Sequence, residues 1–186
     1  MFEERYRLLI GRCIDEKIPF GVVYHRGESI RQIGCSAVVA RVVKEYDDGR
    51  LDIIAVGHER FQIDAVDDTG PYLEAQVRFF DESQADDDAQ LADHAVAELL
   101  KYAYYSEVSL DRPALDSLTV SQLSFLIAGI DVLGMDTKQA LLETDDAMTR
   151  LRMAVDELEK INHRLVNAAR IKAALGVDVE VDSFLN

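Results

Sequence analysis

Few side chains in this sequence are spaced as a catalytic or metal-binding site requires. His94 and Glu98 lie four residues apart, which on a helix is one turn and a spacing that two zinc ligands can adopt. The chain has four histidines in all, widely scattered, and none brings a better partner. A solvated helix surface is therefore the preferred interpretation of this pair. Ser121 and Ser124 have no base near them in sequence that could activate a hydroxyl, so helix capping and packing are expected.

The sequence also lacks the motifs that position phosphates, nucleophiles or zinc. No GxxxxGKS/T, GxGxxG, GxSxG or HExxH pattern occurs anywhere in the chain. Cys13 and Cys35 are 22 positions apart without a CxxC pair, which favours two buried thiols over a disulfide. The acidic run at residues 81–88 could suggest calcium, but it has neither the spacing nor the glycine of an EF-hand loop. We expect no enzymatic activity, no metal and no cofactor.

Composition limits the partners that the protein can have. The 186 residues include 20 basic and 35 acidic side chains, for a formal net charge of −15. Such an excess argues against nucleic acids and against anionic membrane surfaces, because both need a concentrated positive patch. No apolar run reaches the ~20 residues of a membrane span, and the N-terminus lacks the features of a signal peptide. We expect a soluble, cytoplasmic, globular protein with no nucleic-acid or membrane partner.

Hydrophobic periodicity divides the chain into two halves. Residues 1–80 predict an opening helix at 2–14 and then several short antiparallel strands, with a hairpin turn at 46–50 and an interruption at 57–60. A run that is apolar on both faces predicts a strand covered on both sides, through Val38, Val39, Val42 and Val43. Such strands suggest a small barrel or pseudobarrel. The acidic residues 81–88 then predict a linker, because like charges resist compaction.

Residues 89–175 predict a helical bundle, and residues 176–186 a tail. Helices are expected at 91–105, over 119–133 with either Thr119 or Ser117 as the N-cap, after a cap at Asp136, and from Thr144 to residue 175. The last helix would be roughly 46 Å long, longer than so small a domain is wide. Its apolar seam repeats at spacings of three and four, through Met148, Leu151, Val155, Leu158, Asn162, Leu165 and Ala169.

Two groups of residues are candidate partner contacts. Tyr102, Tyr104 and Tyr105 form a tyrosine cluster of the kind that is common at interfaces, although packing within the fold is the alternative. The second group is Ile161, Leu165 and Ala169, on the half of the last helix that a small bundle would leave uncovered. Packing against the bundle is again the alternative, and the prediction is that residues 161–175 make a partner contact, most simply a homodimer.

An ordered set of segments resembles a known family. The segments are residues 2–10, 19–23, 34–39, 48–50, 57–63, 72–75, 138–143 and 150–151. Their order and spacing resemble the N-terminal domain of Lon proteases over about residues 1–165. The resemblance implies an α+β fold, in which an antiparallel PUA-like pseudobarrel precedes a helical bundle that ends in a long helix. It also implies a bacterial, peptidase S16-related, non-catalytic module that binds unfolded or tagged polypeptides.

The sequence departs from this family in three respects. The ATPase and peptidase modules have no counterpart here, so proteolysis is not implied. The family begins further upstream with an additional strand, so the resemblance implies that this strand is lost or that Met1 is not the true start. The tail at 176–186 has no obvious counterpart. PUA-like barrels in other proteins bind RNA, which leaves RNA binding as the alternative function.

Overall fold

A computed structural model describes residues 3–27, 29–81 and 88–175. The chain divides into two compact units, Met1–Asp81 and Glu82–Asn186. The first contains α1 (Glu4–Glu16), β1 (Phe20–Arg26), β2 (Ser29–Glu45), β3 (Leu51–Asp67) and β4 (Glu74–Phe79); the second contains α2 (Ala89–Tyr105), α3 (Arg112–Asp116), α4 (Val120–Ala128), α5 (Met135–Glu143) and α6 (Ala147–Leu175). The predicted α+β class with a long last helix is confirmed. Phe2, most of the acidic linker and the tail lie outside the described residues.

The strands form one antiparallel sheet in the order β1-β2-β3-β4, so that each pairs with its neighbours in sequence. The β2–β3 hairpin turns where predicted: the amide of Tyr46 donates to the carbonyl of Arg50, 3.0 Å away. Gly49 has φ +77°, a left-handed conformation in which a side chain would be strained. Within the described residues β1 and β4 are the two edge strands.

The predicted interruption at residues 57–60 is a bulge inside an unbroken β3. Cys35 pairs with Arg60 and Ala37 with Gly57, so β3 carries one extra residue opposite Ser36. The Ser36 hydroxyl fills the gap in the ladder. It donates to the carbonyl of Glu59 at 3.1 Å and accepts from the amide of the same residue at 3.0 Å. The charged sequence at this position therefore marks a change of register rather than the end of a strand.

The expectation that both faces of the valine run are covered is wrong for its second half. Val38 and Val39 are half-buried, but Val42 and Val43 are 41% and 57% exposed. No residue from 40 to 59 is buried, although Arg7 of α1 donates a hydrogen bond to the carbonyl of Asp48 in the hairpin turn. The core of this unit contains Ile10 and Cys13 of α1 and Phe61 of β3.

In the second unit, α2 and α4 pack against α6. The core combines apolar residues of all three helices, among them Leu99, Leu123, Leu151 and Leu158. The 29 residues of α6 correspond to a length of about 44 Å, close to the expected value. Its seam is buried from Leu151 to Leu165, whereas Met148 and Ala169 at the two ends are half-buried.

The helix ends follow local capping, with three differences from expectation. Thr119 caps α4 in a capping box with Gln122, as predicted, but α4 ends at Ala128 rather than at residue 133. Gly134, and not Asp136, occupies the N-cap of α5. Finally, α6 starts three residues after Thr144. The Thr144 hydroxyl bonds back to the carbonyl of Ala140 at 2.8 Å, and this completes the end of α5 instead.

Among the described residues, no helix combines the length and the apolar character that a membrane-spanning segment requires.

Candidate functional site

A groove of about 450 Å³ opens in the first unit, and most of its lining is apolar. We call it the sheet groove; it is lined by Leu9, Arg12 and Cys13 of α1, Ile18 and Pro19 of the following turn, Phe20 and Val23 of β1, Phe61, Ile63 and Val66 of β3, Tyr72 and Leu73 before β4, and Val77 and Phe79 of β4. Residues of both edge strands line this one groove. Ile30 and Ser36 of β2 line it as well, so all four strands contribute to the groove.

The floor of the groove depends on two glycines. A Cβ at Gly34 would lie 2.6 Å from the carbonyl oxygen of Val22 and 2.8 Å from Cζ of Phe61, which is closer than real Cβ atoms come. A Cβ at Gly21 would lie 3.1 Å from the same ring carbon. Phe61 can thus lie flat against β1 and β2 only because side chains are missing there. Its ring also meets Phe79 edge-on, with 6.5 Å between centroids.

Large apolar side chains remain exposed around the groove. Val66 is 52%, Leu73 55% and Phe79 52% exposed, and all three line the groove. Single exposed apolar residues are common, but several along one concave, apolar surface indicate a binding surface. Within the described residues each edge strand pairs with a neighbouring strand on one side only, and the outer side of such a strand is where a further strand can be added.

The polar rim of the groove is centred on Arg12. Its guanidinium donates to the hydroxyl of Tyr72 at 3.1 Å, to Glu74 at 3.2 Å and to Glu16 at 3.1 Å. The bonds to Tyr72 and Glu16 raise the pKa of Arg12, so the side chain stays charged. These contacts connect α1 to the segment around β4 and hold one wall of the groove.

The tyrosine cluster of α2 is divided between core and solvent. Tyr102 and Tyr105 pack against the core of the helical unit, whereas Tyr104 is 77% exposed. The rings of Tyr104 and Tyr105 meet edge-on at 5.1 Å between centroids. As a partner contact, the cluster stays a prediction, with Tyr104 as its accessible member.

The two bulkiest candidates on α6 are core residues. Ile161 and Leu165 are 1% and 4% exposed and belong to the apolar core of their own unit, so they offer no surface to a partner. Packing within the bundle, the alternative interpretation, accounts for both. Asn162 on the same seam donates to the backbone carbonyl of Glu98 at 2.9 Å and to its carboxylate at 2.7 Å. Ala169 is only half-buried, and a homodimer contact there stays a prediction.

The residues considered for catalysis or metal binding have structural partners. His94 lies 2.8 Å from Glu159 of α6 rather than against Glu98. Ser121 and Ser124 accept hydrogen bonds from Arg150, each at 2.9 Å. In the described part of the chain, no three His, Cys, Asp or Glu residues are grouped as a metal site.

The two cysteines are free thiols; Cys13 is buried and Cys35 half-buried. Burial raises the pKa of the Cys13 thiol, which disfavours the reactive thiolate. The acidic run that was considered for calcium lies mostly outside the described residues.

Sequence reasoning missed two features. The sheet groove is assembled from α1 and all four strands, and the single exposed apolar residues that line it have no common spacing. The second feature is Arg150, a fully buried cation in the helical unit. Its sole sequence signal is that a charged residue interrupts the apolar face of α6 next to Leu151.

Known proteins share both the sequence pattern and the fold. The family model of the ATP-dependent protease La (LON) substrate-binding domain matches residues 1–160. Lon protease 2 of Herpetosiphon aurantiacus is 29% identical over 154 residues, covering 75% of this chain. This chain spans 18% of the length of that relative.

Two solved structures have the same fold. The Lon N-terminal domain protein from Xanthomonas campestris superposes with a TM-score of 0.66 at 19% identity, covering 84% of this chain and 85% of the other. The N-terminal domain of Mycobacterium avium complex Lon protease gives a TM-score of 0.71 at 23% identity, with coverages of 85% and 87%. With the family model matched over residues 1–160, this chain belongs to the family of LON substrate-binding domains.

Proposed function

We propose that this protein is a non-catalytic module that binds apolar, extended polypeptide segments in the sheet groove. Membership of a substrate-binding family supports polypeptide binding in general. The observation that carries the finer proposal is the apolar groove, which residues of both edge strands line together with residues of α1, β2 and β3. Neither the comparisons nor the net charge of −15 favours the RNA-binding alternative.

The groove matches an extended segment in two ways. Its exposed apolar residues, Val66, Leu73 and Phe79, can each bury surface against an incoming side chain, at about 25 cal/mol per Å² of apolar area. The adjacent edge strands can pair with the backbone of the same segment, which is how peptides add to the edge of a sheet. Backbone pairing is indifferent to side chains, so such a site accepts many apolar sequences.

A pair of valines permits a matched test of the site. Val66 and Val43 lie on neighbouring strands and are 52% and 57% exposed, but of the two only Val66 lines the groove. Aspartate at either position replaces a half-exposed valine with a charged residue, so the two substitutions should lower the free energy of unfolding by similar amounts. In the groove, that charge would also have to be desolvated when a peptide binds.

The assay is fluorescence anisotropy of a labelled ten-residue apolar peptide with the full chain. We expect V66D to weaken binding by at least about tenfold, equivalent to roughly 1.4 kcal/mol, and V43D to leave it within about twofold of the unsubstituted protein. Equal affinities for the two variants, or a loss confined to V43D, would overturn the groove as the site.

The backbone component has its own control. A peptide of the same sequence that is N-methylated at alternate amides keeps its side chains but cannot pair along one edge. We expect it to bind at least about tenfold more weakly than the parent peptide. Undiminished binding would show that edge pairing plays no part. Tight, salt-sensitive binding of a structured RNA would instead favour the RNA-binding alternative.

A further inference from the structure

The helical unit carries a basic cleft in an otherwise acidic protein. An open cleft of about 1000 Å³ lies between α2 and α6. We call it the basic cleft, and the residues that matter are Lys101 of α2 and Lys160, His163, Arg164, Asn167 and Arg170 of α6. From residue 160 to residue 175 the chain has four basic residues and no acid.

Three acids also line this cleft, and two of them are engaged. Glu98 accepts from Asn162 and pairs with Lys101, and Glu159 pairs with His94. Asp156 is the third acid of the lining. Lys160 pairs with Glu157 at 2.6 Å. Among the described residues, neither Arg164 nor Arg170 has an ion-pair partner, although both are exposed and on the cleft.

Two exposed arginines on a concave surface are suited to an acidic polypeptide. Guanidinium groups bind carboxylates through two parallel hydrogen bonds, and they lose less hydration than ammonium groups do. The asparagine between them, Asn167, can donate an additional hydrogen bond from its amide.

The chain itself supplies a segment of this kind directly after α6. Residues 176–186 contain Asp178, Glu180 and Asp182 at alternate positions and no basic residue. From the end of α6, eleven residues can reach at most about 36 Å. The distance back along the helix to residue 160 is about 22 Å, so the whole basic cleft is within reach.

We propose that residues 176–186 bind back onto the basic cleft as an intramolecular acidic ligand. Exposed ion pairs are individually weak. A short tether, however, gives the segment an effective concentration in the millimolar range, so that a weak site is occupied within one chain. The contact is electrostatic and is therefore released by salt, or by a more acidic competitor that takes the same arginines.

Backbone order parameters of residues 177–182, measured by NMR relaxation in the full-length protein, test this proposal. At low salt, about 0.05 M, we expect order parameters above about 0.6, against values below about 0.6 in a synthetic peptide of residues 176–186. At about 0.5 M salt the two sets of values should converge, because screening then acts over a few ångströms. Order parameters equal to those of the free peptide at low salt would overturn the proposal.

Charge variants identify the site. The double variant R164E/R170E should lower these order parameters to the free-peptide values, and combining it with D178K/E180K/D182K should restore them. The control R112E/R152E makes the same change of net charge at exposed positions of the same unit and should leave the order parameters unchanged. Order parameters that stay high in R164E/R170E, or that R112E/R152E lowers equally, would overturn the assignment to the cleft. Order parameters that fall on dilution would assign the ligand to a second copy of the chain and overturn the intramolecular contact.

Discussion

Replacing Arg150 should destabilise the helical unit more than any other single loss of charge there. The guanidinium is fully buried and donates to the carbonyls of Thr144 and Asp145, at 2.7 and 3.1 Å. It also donates to the hydroxyls of Ser121 and Ser124, and it lies 4.1 Å over the ring of Phe125. One side chain thus connects α4, the α5–α6 connection and α6.

The expected loss of stability follows from the hydrogen-bond acceptors that lose the guanidinium as their donor. In Arg150→Met most of the volume is kept, so the cavity term is small, but two backbone carbonyls lose this donor. Each such loss costs about 1–3 kcal/mol. The two hydroxyls can still turn to other acceptors. We therefore expect Arg150→Met to lower the free energy of unfolding by about 3 kcal/mol, a large share of the 5–15 kcal/mol typical of a domain.

Urea denaturation followed by far-ultraviolet circular dichroism measures this effect. With a slope of about 1.5 kcal/mol per molar urea, the midpoint of the helical unit should fall by roughly 2 M. The matched control is Arg152→Met, two residues along the same helix, where an exposed arginine pairs loosely with Asp88 at 3.7 Å. It should change stability by less than about 0.5 kcal/mol. An Arg150→Met midpoint equal to that of the control would refute the reasoning, since an apolar side chain would then replace the buried cation without cost.

Four further substitutions probe the fold at single points. Gly34→Ala should destabilise the sheet unit by about 3 kcal/mol, because its Cβ would lie 2.6 Å from a backbone oxygen. Gly11→Ala has open space around the new Cβ and should stabilise α1 by roughly 0.5–1 kcal/mol. Thermal melts of the two variants measure both effects. Thr119→Ala removes the capping box of α4 and should cost about 1 kcal/mol in the same assay. The carboxylate of Asp146 caps the start of α6 by accepting hydrogen bonds from the side chain and backbone of Thr149, and these bonds lower the pKa of Asp146. The ionised carboxylate therefore stabilises α6 at pH values above the unfolded-state pKa, and this stabilisation is lost as the pH falls through the lower folded-state pKa. The stability difference between the protein and Asp146→Asn should therefore shrink below about pH 4; a difference that stays constant with pH would contradict the cap.

Local sequence rules predicted the elements of this fold well. Alternation with a period of two located the strands, spacings of three and four located the helices, and Gly49 and Thr119 marked a turn and a cap. Each of these signals acts over a few residues, so a single stretch of sequence contains all of the required information. Catalytic motifs are equally local in sequence, so their absence could be recognised from the sequence alone, and it favoured a binding function.

Features that depend on distant contacts could not be predicted in this way. Val42 and Val43 have the composition of a strand covered on both faces, but whether another element reaches them depends on the tertiary structure. Ser121 and Ser124 lie 29 and 26 residues from the arginine that they bind, and nothing in their own neighbourhood indicates it. The seam of α6 has the spacing of a dimer interface, but α2 and α4 already cover Ile161.

The order of the strands has a consequence for how the chain folds. In the sheet unit every strand pairs with the next one in sequence, so each pairing closes only a short loop and the sheet can form progressively from one hairpin. The helical unit is different, because α2 packs mainly against α6, which starts more than 40 residues after α2 ends. During synthesis, the apolar side of α2 stays without its main cover until the last helix has emerged from the ribosome. The sheet unit can thus reach its native pairing co-translationally, whereas the helical unit folds only once α6 is complete.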